Sequence, residues 1–463
     1  MGYVVDSIAG YEILIMLKLF FWLRYLRKKK IVFLSVVAVA MSVSLLIVVA
    51  NLFAGFINAF EQAGVEVIGD IVLAPPIKFS QYEMFVEELE QIGQVKAATA
   101  TLLAQGLLHF GQGNVRAVNI YGVEPVSRAE VTDFKQSLIK QNKLHREPSF
   151  EVPGYPERIG GFVGIGVAAE PDEKTDKYDL AEIEKIIGQQ VVLTTGSISR
   201  IQERNSTRTR IKRRTARFTV TDIVFTGVYD LDKKFVYLPI EELQKTLYPN
   251  LEAPLADQIQ IKLIGDAHTD MAMAQIRGLW QSFATEQLGW GTYLIKQTTI
   301  ATAKQMQSQY IAEVRKQMGV LLLIFGIVSC SVILLIFCIF YMIVMTKKKD
   351  IAIIKSCGAT CTSILLIFIG FGACIGIIGS GAGTVLGYIV TRNISTIEEW
   401  IRIVFGLKLW KSSVYMFDKI PNEIVWSWAL PIVLLAVLAA SVGALIPAIV
   451  AVRTRPVEIL RYE

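Results

Sequence analysis

Four uncharged apolar runs divide the chain: residues 31–54, 319–346, 361–391 and 424–452. Each exceeds the roughly 20 residues a helix needs to cross the hydrocarbon core of a bilayer. A helix in a soluble core rarely stays uncharged that long, so four spanning helices are expected. Between the first and second runs the pattern becomes that of a globular domain. "IVLAPP" (71–76) reads as a strand. Ser80 and Glu83 have capping-box spacing, Tyr82, Phe85, Val86, Leu89 and Ile92 follow at helical intervals, and Gly93 closes the helix. "VKAATATLLAQGLLHF" and "VRAVNIYGV" read as two strands joined by a Gly-Gln-Gly-Asn turn.

Downstream, Ile259, Ile261 and Leu263 alternate with polar residues, a half-buried strand. Residues 268–284 make a helix with Ala272, Ile276, Leu279, Trp280 and Phe283 on one face, and 291–297 reads as a strand. The expected fold is therefore an α-helical membrane protein with four transmembrane helices and a large extracytoplasmic α+β domain between helices 1 and 2. In detail, 55–318 would hold a split βαββ/βαβ layer (66–130 and 255–298) around a mostly β insertion (131–250). Helical stalks would join it to the first span and to the second at 319–346, with 298–319 expected as continuous helix. A loop (347–362), a third span (363–391), an outer loop (392–423), a fourth span (424–452) and a tail (453–463) complete the chain.

Charge orients these runs. Arg24, Arg27 and Lys28, Lys29, Lys30 precede the first; Lys347, Lys348, Lys349 and Lys355 lie between the second and third; Arg453, Arg455 and Arg461 follow the fourth. The positive-inside rule puts both termini and the 347–362 loop in the cytoplasm. The formal net charge of +6 is mostly this signal and gives no reason to expect nucleic-acid binding. Residues 13–23 are apolar but too short to span, and Lys18 interrupts them, so 1–30 is expected to lead in as an interfacial amphipathic helix. Overall composition agrees: 53% of the 463 residues are hydrophobic.

Signs of catalysis are poor. His109, His145 and His268 are scattered without metal-ligand spacing. The five cysteines (Cys330, Cys338, Cys357, Cys361, Cys374) all fall in spans or the cytoplasmic loop, so neither a disulfide in the large domain nor a CxxC site is expected. No G-x-S-x-G and no G-x-x-x-x-G-K-[ST] occurs. The chain is expected to be no enzyme and to carry no cofactor or metal of its own; if ATP drives it, another subunit binds the ATP.

Three other stretches stand out. Gly379, Gly383 and Gly387, like Gly372 and Gly376, recur every fourth residue in the third span, a small stripe suited to helix packing within the subunit or between copies. Residues 199–220 carry eight basic residues and one acid between two strand-like segments. They read as a basic hairpin, either simply solvated or docking an acidic partner or lipid headgroups through Arg208, Arg210, Lys212, Arg213 and Arg214. Last, "KKKDIAIIKSCGATCTSIL" (347–365) has helical spacing in a loop too short for a domain, with Gly358 placed to end the helix.

That stretch, with the glycine-rich run to Gly387, "PAIVAVRTRPVEILRYE" at the C-terminus, "FWLRYLRKKK" before the first span and "FTGVYDLDKKFVYLPIEELQ" in the large domain, resembles the FtsX-like, MacB-type permease family of ABC transporters. "VYMFDKIP" (414–421) and the dense "KDIAIIKSCGA" are most similar to Lol-type lipoprotein-releasing permeases. The resemblance implies a bacterial inner-membrane permease subunit that extracts lipoproteins from the outer leaflet by mechanotransmission. Asp350, Ile351, Ile353, Ile354, Lys355, Ser356, Gly358 and Ala359 would form a coupling helix docked on a separate ABC ATPase. Implied partners are that ATPase, a second permease copy in a homodimer or heterodimer, membrane lipid, the lipoprotein or another amphiphile, and a carrier or adaptor outside the membrane. Efflux of another amphiphile or peptide and signalling to a cell-wall hydrolase are the family's other activities. The stretch 195–217 departs from the carrier-recruiting hairpin of Lol-type permeases, because it lacks proline and is rich in arginine.

Overall fold

The structure is a computed structural model that describes residues 30–453, apart from 112, 173–174, 204–205, 251–252, 266–267, 347, 357–359, 407, 409, 412–419, 421 and 423–424. The amphipathic helix expected over 1–30, the helix-ending Gly358 with its neighbour Ala359, most of 414–421 and the tail 454–463 lie outside the described residues. Two compact units emerge, Met1–Ile57 with Ala312–Ile397 and Pro421–Glu463, and Asn58–Ile311 with Glu398–Ile420. The helices used below are α1 (Lys30–Ile68), α2 (Tyr82–Glu90), α3 (Pro125–Val131), α4 (Thr269–Glu286), α5 (Ser308–Thr346), α6 (Lys348–Ser356), α7 (Cys361–Arg392), α8 (Ile394–Phe405) and α9 (Trp426–Arg453).

The first unit is built on α1, α5, α7 and α9, each long and apolar enough to cross a membrane. Their shared core includes Val39 and Val43 of α1, Phe340 of α5, Phe371 and Ile375 of α7, and Ala444 of α9. The glycine stripe sets how closely they pack. A Cβ built on Gly383 would stand 2.6 Å from the carbonyl oxygen of Ala40, and those on Gly379 and Gly387 would press on Val39 and Ile47. Gly372 and Gly376 turn the other way, toward Ala444 and Val437 of α9. One small-residue helix thus packs on two neighbours of its own chain, as close approach of backbones requires.

The second unit is organised by one sheet of eleven short to long strands less two: nine strands in the order β11-β1-β10-β3-β4-β8-β5-β7-β6, with β2 and β9 pairing separately. In chain order these are β1 (Ile71–Ala74), β2 (Phe79–Ser80), β3 (Val95–His109), β4 (Val115–Val123), β5 (Gly160–Gly164), β6 (Gln190–Glu203), β7 (Ser206–Val224), β8 (Phe235–Pro239), β9 (Leu255–Ala256), β10 (Gln258–Leu263) and β11 (Thr299–Thr302). The 15-residue β3 joins two regimes. Its first half pairs with β10; its second half pairs with β4 on one edge and with β6 on the other. Through β6 the strands β3, β4, β8, β5, β7 and β6 close into a ring, which leaves fewer open edges. The region expected as a separate insertion at 131–250 therefore supplies strands of the same sheet. Beneath the open part, α2 and α4 bury Phe85, Trp280 and Phe283, with the Phe85 and Trp280 rings edge-on at 5.2 Å.

Local expectations fail in three places. Residues 291–297 are not a strand: Thr292–Lys296 is helical, started at Gly291, and the strand comes later as β11. Residues 298–319 are not one helix, because β11 is held by pairing with β1, and Thr302 then caps a new short helix through a capping box with Gln305. Ser80 does not cap α2. It pairs in β2 with Leu255, while Gln81, at φ 60°, occupies the cap without a side-chain bond.

Candidate functional site

α6 is a nine-residue helix between two long apolar helices, with one face buried and the other exposed. Ile351 and Ala352 are buried at 6% and 0% exposure. Ile351 packs in a cluster with Val344 of α5, Ile364 of α7 and Ala451 of α9. One turn on, the Lys355 ammonium donates to the Val452 carbonyl at 2.7 Å. That carbonyl belongs to the last turn of α9, where unpaired C=O groups and the helix dipole favour a cation. The Ser356 hydroxyl donates back to the Ala352 carbonyl, and Thr360 caps α7 by accepting from the Ser363 N–H at 3.2 Å. Lys349, Ile353 and Ser356 are exposed. At 100° per residue they fall on one stripe, opposite Ile351.

Ile351 and Lys355, expected at the contact with a partner, have neighbours within the chain itself. Both are engaged by their own chain, because Ala451 and Val452 at the end of α9 come up against α6. Among the described side chains of α6, Ile353, 52% exposed, is the apolar one that faces outward. Asp350 and Ile354 sit in the helix with side chains outside the described set, and Gly358 and Ala359 lie outside it altogether.

The basic hairpin is β6 and β7, paired in register from Gln190↔Thr219 to Glu203↔Ser206. From Gly196↔Arg213 outward the two strands pair only with each other among the described pairings, a ribbon of eight residue pairs. At about 3.4 Å per residue it reaches about 27 Å. Strand alternation puts positions 212 and 214 on one face and 213 on the other. Lys212 and Arg213 are exposed and Arg214 is half-buried.

A feature without sequence signal is Arg128 in α3, 2% exposed. It donates to the Gln260 Oε1 at 3.0 Å and to the Val67 carbonyl at 3.1 Å, in the last turn of α1. The rings of Tyr121, Phe134 and Tyr237 surround its guanidinium at 5.3–5.5 Å. Burial pushes the Tyr237 phenol well above its usual range, and Arg128 only partly offsets this. Arg128 and Tyr237 line a cavity of about 200 Å³ with Glu66, Thr132 and Thr226. Among the described residues no group of three or more His, Cys, Asp or Glu could hold a metal ion.

Residues 306–456 match the FtsX-like permease C-terminal family. Along 95% of its length the chain is 25% identical to the lipoprotein-releasing system transmembrane protein LolC of Neisseria meningitidis serogroup B, covering 98% of that protein. It is 24% identical to the corresponding LolE of Haemophilus influenzae, over 92% of this chain and 93% of that one. The periplasmic region of MacB from Actinobacillus actinomycetemcomitans aligns with 53% of this chain and 94% of its own at a TM-score of 0.32 and 11% identity, a likeness too loose to define the fold.

Proposed function

We propose that this chain, an ABC transporter permease with an FtsX-like C-terminal domain over residues 306–456, is the inner-membrane subunit of a lipoprotein-releasing transporter. In this reading a separate ATPase subunit docks on α6. Closure of the ATPase on ATP moves α6, and the four helices carry that motion to the sheet domain outside the membrane, which draws the lipoprotein from the outer leaflet. Both termini face the cytoplasm, and a second permease, identical or related, completes the assembly. Similarity to LolC over 95% of the chain supports the substrate class.

The single observation that carries the mechanism is the two-sidedness of α6. Ile351 and Lys355 fasten the helix to the ends of α5, α7 and α9, so that a push on its outer face is delivered to three spanning helices together. Ile353 would seat in the ATPase groove. Full burial of an isoleucine contributes about 1.5–3 kcal/mol, so Ile353→Asp should weaken ATPase binding by at least about tenfold. The test is co-purification of the ATPase with the tagged chain, together with release of a lipidated protein from proteoliposomes. If both survive Ile353→Asp at wild-type levels, α6 is a connector and the reading fails.

A further inference from the structure

α8 carries an apolar face that no part of the described chain covers. It is 12 residues long, about 18 Å. Projected at 100° per residue, Ile397, Trp400 and Val404 fall within one narrow arc. They are 36%, 67% and 53% exposed. Ser395 and Glu399 lie on the opposite arc and are also exposed, and Arg402 bonds to Glu399 at 3.1 Å along the polar flank. None of its residues is buried, so the helix has no hydrophobic reason of its own to be folded as it stands.

Its position says what covers the face. α8 begins two positions after Arg392, the end of a helix long enough to span a bilayer, with Asn393 alone between them, and Ile397 N–H still donates to the Asn393 carbonyl across that junction. A segment starting within two positions of a span's end starts at the level of the headgroups. The same level is marked by aromatic side chains: Tyr388, which accepts from Arg392 at 3.0 Å, stacks on Trp426 with ring centroids 6.3 Å apart. Tyrosine and tryptophan concentrate at that depth because each has an apolar body and a polar edge.

We propose that α8 is an interfacial helix that lies in the bilayer surface, with Ile397, Trp400 and Val404 among the upper acyl chains and Ser395 and Glu399 toward water. Its occupant is lipid, not a second protein. A helix of this kind sinks its apolar face about 5–10 Å into the boundary between headgroups and acyl chains. It would fix the depth of the adjoining span and loosen the lipid packing beside it. The inference rests on membrane insertion of the four helices and not on the substrate or the ATPase.

The full-length chain, with Cys330, Cys338, Cys357, Cys361 and Cys374 replaced by serine or alanine, is spin-labelled one site at a time and reconstituted in phosphatidylethanolamine–phosphatidylglycerol vesicles. The sites are Ile397→Cys, Trp400→Cys, Val404→Cys, Ser395→Cys and Glu399→Cys, with Leu434→Cys, exposed at the ninth residue of α9, as the lipid control. Collisions with oxygen should exceed those with a water-soluble nickel chelate several-fold at 397, 400, 404 and 434, and the ratio should invert at 395 and 399. Equal access of the nickel chelate to both faces of α8, while 434 remains in lipid, would overturn the proposal. Exclusion of both colliders from 400 would overturn it too, by putting protein on that face. If 434 also reads as aqueous, the membrane premise itself fails and the proposal with it. A label-free measurement covers the case of a misfolded cysteine variant. Trp400→Phe should remove emission that brominated lipids quench; if the emission it removes is unquenched, Trp400 is not in lipid.

Discussion

A single methyl group tests the packing of the helical unit. At Gly383 it would meet the Ala40 backbone oxygen at 2.6 Å, which cannot rotate away, whereas nothing lies within 4 Å of a Cβ on Gly381. Gly383→Ala should therefore cost about 1–3 kcal/mol of overpacking, seen as a lower Tm in detergent, and Gly381→Ala should not lower Tm. A second residue gives a pH signature. Asp222 is buried, and although its carboxylate accepts from the N–H groups of Lys140, Gln141 and Ile223 at 2.7–2.9 Å, burial still raises its pKa. With the folded pKa above the unfolded one, the native state retains a proton the unfolded chain has lost. That contribution is complete below about pH 4 and vanishes as pH rises through the raised pKa. Asp222→Asn does not titrate there, so the Tm advantage of wild type over the variant should shrink with rising pH across that window. A pH-independent difference would mean that the hydrogen bonds cancel the burial.

Among the elements, the end of α1 depends on Arg128. Arg128→Met keeps the apolar stem but leaves the Gln260 Oε1 and Val67 carbonyl without their donor. Bonds from a charged donor are worth about 1.5–3 kcal/mol each, so local opening should become easier and amide exchange at Gly69 and Asp70 faster. Exchange no faster than wild type would show that Gly69, with φ +81° and its N–H on the Val65 carbonyl, holds the helix end alone. The β6–β7 ribbon belongs to this scale as well. If it docks an acidic partner or headgroups, changing Arg208, Arg210, Lys212, Arg213 and Arg214 to Gln should lower substrate delivery and its salt sensitivity without affecting ATPase binding. Unchanged delivery would make the ribbon simply a solvated one.

How far these elements could be read in advance follows from what decides each one. The long apolar helices were legible because an uncharged run of that length has few other uses. β3 and β4 were legible because Gly111 and Gly113, both at positive φ, mark their turn. The helix at Thr292–Lys296 was not, since β11 takes its place beside β1, more than 220 positions earlier in the chain. The outward face of α6 was illegible for the same reason. In a nine-residue helix either Ile351 or Ile353 could be the one buried within the chain, and that is decided by Ala451 and Val452, a hundred positions away. Arg128 gave no sign because its three aromatic neighbours come from separate strands and a short helix.

For the molecule as a whole, the proposed orientation predicts that cysteines at 210 and 410 react with an impermeant thiol reagent in intact spheroplasts and that one at 348 does not. Labelling at 348 alone would invert the arrangement and remove α6 from the reach of a cytoplasmic ATPase. The order of the strands also governs how the chain is made. β1 is paired on one side by β10 and on the other by β11. Ala74 leaves the ribosome 184 positions before Gln258 does. At about 5–20 residues per second that separation is about 9–37 s of synthesis, during which β1 has neither of its neighbours. Closing so long a loop is slow, and an unpaired strand invites wrong pairing meanwhile. Nascent chains stalled before residue 258 should accordingly be cut by protease near Ile71–Ala74, and those stalled well after residue 302 should be protected there.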